Sequence, residues 1–154
     1  MNEIVLKQLR DLLLSAQVAS LGSLRDGAPQ VTMVQYAVEP DLSQFYLHLS
    51  GLAHHTGNIA ADPRVSLMVM ERSDHPDPQT WARVSILAAA APLPAGDPDY
   101  QRVKALYLEA FPRSERSFML ADFSLFRLTP GGGRFVAGFG QIYNLTGSHF
   151  GGQQ

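Results

Sequence analysis

Short apolar runs closed by turn residues recur along this chain, and they constrain the fold more than any other feature of the sequence. The first run ends at Asp26-Gly27, a dipeptide that favours the tight turn of a β-hairpin. The runs that predict strands are 18–24, 30–38, 45–49, 65–70, 81–91, 123–128 and 134–139. About seven short strands, largely joined by hairpins, predict a mainly antiparallel sheet.

Helical periodicity is found outside these runs. Residues 1–16 mix apolar and charged side chains at helical spacing, which predicts an amphipathic first helix rather than a signal peptide, and hence a cytoplasmic protein. The apolar residues of that helix are Ile4, Val5, Leu9, Leu12 and Leu13. Further helices are predicted over 52–61, over 114–120, and from an N-cap at Asp97 with Pro98 in the first turn.

Three stretches rich in small residues complete the outline. The glycine run within 129–133 predicts a turn between the last two strands, and the alanine run 88–91 suits either a strand or a helix. The glycine-rich end, 147–154, is expected to be a loose tail. Residues 1–154 therefore predict a single α+β domain built on a small antiparallel barrel.

Composition excludes several classes of function. The net charge is −2, so there is no basic field for nucleic acid, and no apolar run is long enough to cross a membrane. Cysteine is absent, which excludes disulfides, thiolate metal sites and a cysteine nucleophile. Neither a metal-binding histidine spacing nor a GxSxG nucleophile motif occurs, so no metal site is expected and no catalytic residue is identified.

One segment, LSGLAHHTGNIAADPRVSLMVME at 49–71, concentrates polar residues near a predicted helix start. Unpaired backbone N–H groups and the helix dipole favour an anion at such a place. The polar residues are Ser50, His54, His55, Thr56 and Asn58. They suit a phosphate site, although serine and asparagine at a helix start also act simply as caps.

This segment resembles the corresponding stretch of the FMN-binding split-barrel family related to pyridoxamine 5′-phosphate oxidase, and most closely the branch that includes haem-utilisation proteins. Three more pieces agree in order: 27–36, the WARV sequence at 81–84, and FPRSERSFMLADFSLFRLTPGGGRFVAGFG at 111–140. The resemblance covers nearly the whole chain. It implies a six- to seven-stranded antiparallel split β-barrel with flanking helices.

The resemblance also implies an FMN-binding oxidoreductase with a set of cofactor contacts. The strand residues Thr32, Met33, Val34 and Gln35 would contact the flavin ring. Ser50, His55 and Thr56 would approach the phosphate, and Asn58 would support the turn. Arg83 suits the phosphate or ribityl chain because guanidinium pairs well with phosphate oxygens, and Trp81 would pack beside it.

One departure from the family bears on the ligand. Vitamin B6 oxidases carry arginine and lysine in the phosphate loop, where this chain has His55 and Thr56, so a B6 oxidase is not expected. A haem-binding protein is the main alternative, with an axial ligand from His149 or His48. A non-catalytic flavin-binding module is the third. The substrate and the electron donor are not identified by the sequence.

Charge and apolar content together predict a homodimer. Only 17% of residues are charged, yet apolar residues occupy both faces of the predicted strands. Those in apparent excess are Val31, Met33, Val34, Phe135, Val136 and Phe139. A second buried face, shared with another subunit, accounts for them, and the resemblance implies that the flavin lies at that interface. We expect the dimer to bury more than about 2,000 Å².

Overall fold

The computed structural model describes residues 1–151, which form an eight-stranded antiparallel sheet and four α-helices. The helices are α1 (Glu3–Ser15), α2 (His54–Ala61), α3 (Tyr100–Ala110) and α4 (Glu115–Phe118). The strands are β1 (Val18–Arg25), β2 (Ala28–Gln35), β3 (Ala37–Val38), β4 (Phe45–Ser50), β5 (Arg64–Met70), β6 (Arg83–Leu93), β7 (Phe123–Gly138) and β8 (Gln141–Thr146). Short 3₁₀ turns lie at Pro78–Thr80, Pro112–Ser114 and Gly147–His149.

The sheet closes on itself except at one seam. Its strand order is β2-β1-β5-β6-β7-β4-β3, and β8 pairs with the C-terminal half of β7. The inner faces of these strands share one hydrophobic core, but β2 forms no ladder with β4. This opening, which we call the split, confirms the α+β split barrel, with eight strands rather than six or seven.

Local sequence signals explain the first elements. The side chain of Asn2 caps α1 by accepting from the N–H of Val5 at 2.9 Å, and the helix then buries Val5, Leu9, Leu12 and Leu13. Ile4 is 79% exposed and does not belong to the buried face. Within residues 1–151, no helix has both the length and the apolar character needed to cross a membrane.

The hairpin between β1 and β2 turns where the sequence predicts. Asp26 and Gly27 both have positive φ, 51° and 78°, as a two-residue turn of this kind requires. The alanine run continues β6 as a strand, because Ala88 to Ala91 pair with β7.

A second, smaller core lies outside the barrel. Tyr46 and Leu125 project from β4 and β7 against Val103 and Tyr107 of α3, and Phe111 and Phe118 pack beside them. This cluster fixes α3 and α4 next to the end of β4. As a result, the segment that follows α3 stands beside the split.

The turn predicted at 129–133 is wrong. Residues 123–138 form one long strand, and β6 pairs with it on both sides of the glycines, across a bulge at Leu87/Ala88. Glycine is needed here because the backbones of β6 and β7 lie close together. A Cβ on Gly133 would lie 2.1 Å from the carbonyl oxygen of Ser85. The strand β8 was not predicted, because only three of its six residues, Ile142, Tyr143 and Leu145, are apolar.

Two expected termini differ in detail. Helix α3 begins at Tyr100, so Asp97 is not its N-cap; its carboxylate accepts instead from the N–H of Asp99 at 2.9 Å. In the expected tail, 147–149 form a 3₁₀ turn and Phe150 is only 8% exposed, packed into the barrel core. Residues 152–154 of that tail lie outside the described residues.

Candidate functional site

A pocket of about 580 Å³ lies over the split. Its walls come from the end of β2, from the end of β4 with the loop into α2, and from the segment that follows α3. Ligand pockets of enzymes and binding proteins commonly enclose about 300–1,000 Å³. The pocket is therefore large enough for a cofactor.

Five of the ten residues expected to bind a cofactor line this pocket: Met33, Val34, Gln35, Ser50 and His55. A sixth, Thr32, lies directly behind, because its hydroxyl oxygen is 2.9 Å from Nδ1 of His55. Successive residues of β2 alternate between faces, so Val34 is buried while Met33 is 71% exposed. The structure thus brings the expected strand and the expected loop together.

Within the loop, the hydroxyl groups hold one another in place. The Thr56 hydroxyl donates to the carbonyl oxygen of Ser50 at 2.5 Å. The Ser50 hydroxyl accepts from the N–H of Leu52 at 3.1 Å and donates to the Asp122 carboxylate at 3.2 Å. Both hydroxyls therefore stabilise the loop, and their expected contact with a phosphate remains a prediction.

Asn58 anchors α2 to the first hairpin. It is 6% exposed, and its side-chain amide donates to the Ser23 hydroxyl at 3.0 Å and to the Gln30 side chain at 2.9 Å. A buried amide with both bonds made fixes the orientation of the helix. This contact holds His55, one turn earlier, against β2.

Trp81 and Arg83 are not brought to this pocket within one chain. The Trp81 indole N–H donates to the carbonyl oxygen of His75 at 2.9 Å. The Arg83 guanidinium donates to the carbonyl oxygens of Trp81 at 2.9 Å and Gln79 at 3.3 Å. Arg83 pairs with Met70 of β5 and Val136 of β7, so it stands on β6, away from the split.

Two arginines that the sequence did not single out do line the pocket. Arg113 and Arg116 belong to the segment after α3, and both are exposed. Neither forms an ion pair with any residue within 1–151. They supply the positive charge that the loop residues His55 and Thr56 lack. Their sequence signals are a three-residue spacing within FPRSERS and the place of that segment in the family resemblance, which assigned them no role.

The same pocket holds two histidines that stay neutral. Burial lowers the pKa of His48 from 6.5 to about 4, and the positive charge of Lys104 lowers it further. Burial also lowers the pKa of His55. At neutral pH the pocket therefore combines neutral imidazoles with unpaired guanidinium groups. Such a site suits a ligand that carries anionic groups and an apolar body.

We expect His48 to make stability depend on pH. An unfolded histidine takes up a proton below about pH 6.5, whereas folded His48 takes one up only near pH 4. Stability is thus full above pH 6.5 and falls as the pH drops towards 4, by about 2 kcal/mol after allowance for solvent at the pocket. Urea unfolding of the wild type and of His48→Phe between pH 7 and 4 tests this. The variant is expected to lose this part of the dependence, and exposed His54→Ala is expected to keep it.

Known proteins similar to this chain include haem proteins. Heme oxygenase HutZ of Vibrio cholerae is 29% identical over 145 residues, which cover 92% of this chain and 80% of that protein. The chloroplastic non-canonical heme oxygenase HOZ of Arabidopsis thaliana is 29% identical over 124 residues, 79% of this chain and 36% of that protein.

The fold agrees with these similarities. The structure of a heme binding protein from Mycobacterium smegmatis superposes with a TM-score of 0.86 at 28% identity, over 97% of this chain and 60% of that one. The sequence profile described as pyridoxamine 5′-phosphate oxidase matches residues 5–137. The chain therefore belongs to the pyridoxamine 5′-phosphate oxidase family.

Proposed function

We propose that this chain binds haem in the pocket over the split. The observation that carries the proposal is the meeting of two unpaired arginines with neutral histidines in one pocket of about 580 Å³. Haem is a flat apolar ring with two carboxylates and an iron that takes an imidazole ligand. The similarity to HutZ and to the mycobacterial heme binding protein supports the same ligand.

The residues present fit this group. Arg113 and Arg116 would pair with the two propionates, since guanidinium binds carboxylate through paired donors. Leu49, Leu120 and Phe123 offer apolar surface to the ring. Bound haem would supply the redox chemistry, and the protein would supply orientation and a dry surrounding.

FMN is a second candidate for the same pocket, and a specific observation favours it. Five residues that the family resemblance assigns to the flavin line the pocket. The missing positive charge of the phosphate loop is replaced by Arg113 and Arg116. Either ligand would therefore place its anionic end at this pair of arginines.

The arginine pair gives a direct test. Each substitution, Arg113→Gln and Arg116→Gln, is expected to weaken haemin binding about tenfold, because it removes a charge-assisted hydrogen bond worth about 1.5 kcal/mol. Absorbance titration of each variant measures this. Arg25→Gln, a change at an exposed arginine of the first hairpin, is the control and is expected to leave affinity unchanged. Equal affinities in all four proteins would contradict the assigned anion contacts.

We also propose that the chain forms a homodimer through the outer face of the sheet. In the single chain, three apolar side chains are largely exposed: Val31 at 70%, Met33 at 71% and Phe139 at 73%. A surface that a second subunit covers in the dimer would look like this in an isolated chain. Val34 and Phe135 were also expected to be in excess of what one barrel core needs, but they belong to the barrel core. Leu87, 63% exposed, lies on the same outer face, because Val31 and Leu87 occupy one row across β2, β1, β5 and β6.

A further inference from the structure

The tautomer of His48 is determined by its hydrogen bonds. The Ser117 hydroxyl donates its only hydrogen to the carbonyl oxygen of Ser114 at 2.7 Å. Its contact of 3.0 Å with Nδ1 of His48 must then have the imidazole as donor. Nδ1 therefore carries the proton, and Nε2 of the neutral ring keeps its lone pair.

That lone pair is not used within the protein. Nε2 of His48 forms no hydrogen bond with any residue of 1–151. In the same part of the chain, no side-chain nitrogen or oxygen that is closed off from solvent lacks a partner. Nε2 therefore reaches solvent, and the residue lines the pocket over the split.

The ring of His48 is also held rigidly. It stacks on Phe118 with 3.7 Å between centroids and an angle of 8°, and Phe123 and Tyr107 contact it at 5.2 Å and 5.8 Å. Metal-binding histidines in proteins are commonly held in this way: one ring nitrogen forms a hydrogen bond to the protein, and the other keeps its lone pair for the metal.

Two other histidines have the opposite tautomer. Nδ1 of His149 accepts from the backbone N–H of Thr146, its shortest contact, at 2.9 Å, and Nδ1 of His75 accepts from that of Asp77 at 3.1 Å. In both neutral rings the proton is then on Nε2, and the lone pair already has a donor. His149, one of the two ligands expected from the sequence, is thus the weaker choice.

The remaining two histidines are less suited. His54 is exposed and does not line the pocket, and its ring forms no hydrogen bond with a residue of 1–151. His55 lines the pocket, but its Nδ1 faces a hydroxyl of Thr32 that is free either to donate or to accept. Only for His48 do the hydrogen bonds require a free lone pair on Nε2.

We infer that Nε2 of His48 would ligate the haem iron, an assignment that rests on the proposed function. Ser117 is then a positioning residue: by accepting from Nδ1–H it orients the ring and makes the imidazole a stronger donor to the iron. The segment after α3 would then contribute twice to the site: Ser117 would orient the histidine that binds the iron, and Arg113 and Arg116 would pair with the propionates.

Spectroscopy of haemin complexes tests the assignment. We expect His48→Gly to lose the histidine-ligated Soret and electron paramagnetic resonance signals and to bind haemin at least about tenfold more weakly. Added imidazole is expected to restore both, because it can occupy the vacated position. Ser117→Ala is expected to keep the ligand but lower the iron–histidine stretching frequency of the ferrous complex.

Matched variants separate the possible outcomes. His48→Phe preserves the aromatic packing, so its loss of the signals would not reflect misfolding, and circular dichroism checks this. His149→Ala and His54→Ala, the latter at an exposed histidine that does not line the pocket, are expected to retain the wild-type spectrum. If the wild type binds haemin but His48→Phe keeps its spectrum, or if His149→Ala loses it, the ligand assignment is wrong while the proposed function stands. A wild type that binds no haemin overturns both.

Discussion

Replacing Gly133 with alanine is expected to lower the free energy of unfolding by about 3 kcal/mol or more. The added Cβ would lie 2.1 Å from the carbonyl oxygen of Ser85 and 3.1 Å from Cα of Ile86, both part of the β6 backbone. A backbone contact this close cannot be relieved by rotating a side chain. β6 and β7 would have to separate where they form the longest ladder of the barrel.

Urea unfolding followed by circular dichroism measures this effect. Gly131→Ala is the matched control, because a Cβ at Gly131 meets nothing within 4 Å. We expect that variant to change stability by less than about 1 kcal/mol. Equal losses in the two variants would contradict a continuous β7, and would favour a flexible turn at the glycines.

The double variant Val31→Glu, Leu87→Glu is expected to convert the protein from a dimer to a monomer. Both side chains are apolar, 70% and 63% exposed, and in the same row of the outer sheet face. Burying unpaired carboxylates at a subunit interface costs several kcal/mol, which is enough to dissociate a typical dimer. The barrel core is not touched, so each chain should remain folded.

Light scattering at micromolar concentration tests this directly. We expect the wild type at twice the chain mass of 16.8 kDa and the double variant at that mass itself. Leu52→Glu, at an apolar residue that is 87% exposed but lies in the loop before α2, is expected to remain dimeric. A monomeric wild type would contradict the dimer and any ligand site shared between subunits.

Much of the fold is predictable because its signals are local. The Asp26-Gly27 turn and the amphipathic helix α1 depend only on neighbouring residues, and both occur where the sequence predicts them. The turn predicted at 129–133 was wrong because a turn and a close approach of two backbones both favour glycine, so the glycines of β7 fit either structure. Only the position of Ser85, distant in sequence, distinguishes the two.

The residues of the candidate site likewise fall into two groups, those that the sequence predicted and those that only the folded structure brings to the pocket. Its strand and loop, Met33 to Gln35 and Ser50 to His55, were accessible through family resemblance, since both lie in continuous motifs. Arg113 and Arg116 also lie in a matching segment, but the resemblance assigned them no role, because their place beside the split depends on how α3 packs outside the barrel. The free nitrogen of His48 likewise depends on Ser117, which only the folded chain brings to it.

Haem binding at the split is tested most directly by a competition between haemin and FMN for the purified wild-type protein. We expect haemin to bind with one haem per chain, to give a histidine-ligated Soret band, and to displace any FMN from the pocket. Haem binding at the split would be contradicted if the protein kept its FMN in the presence of excess haemin and showed no Soret shift.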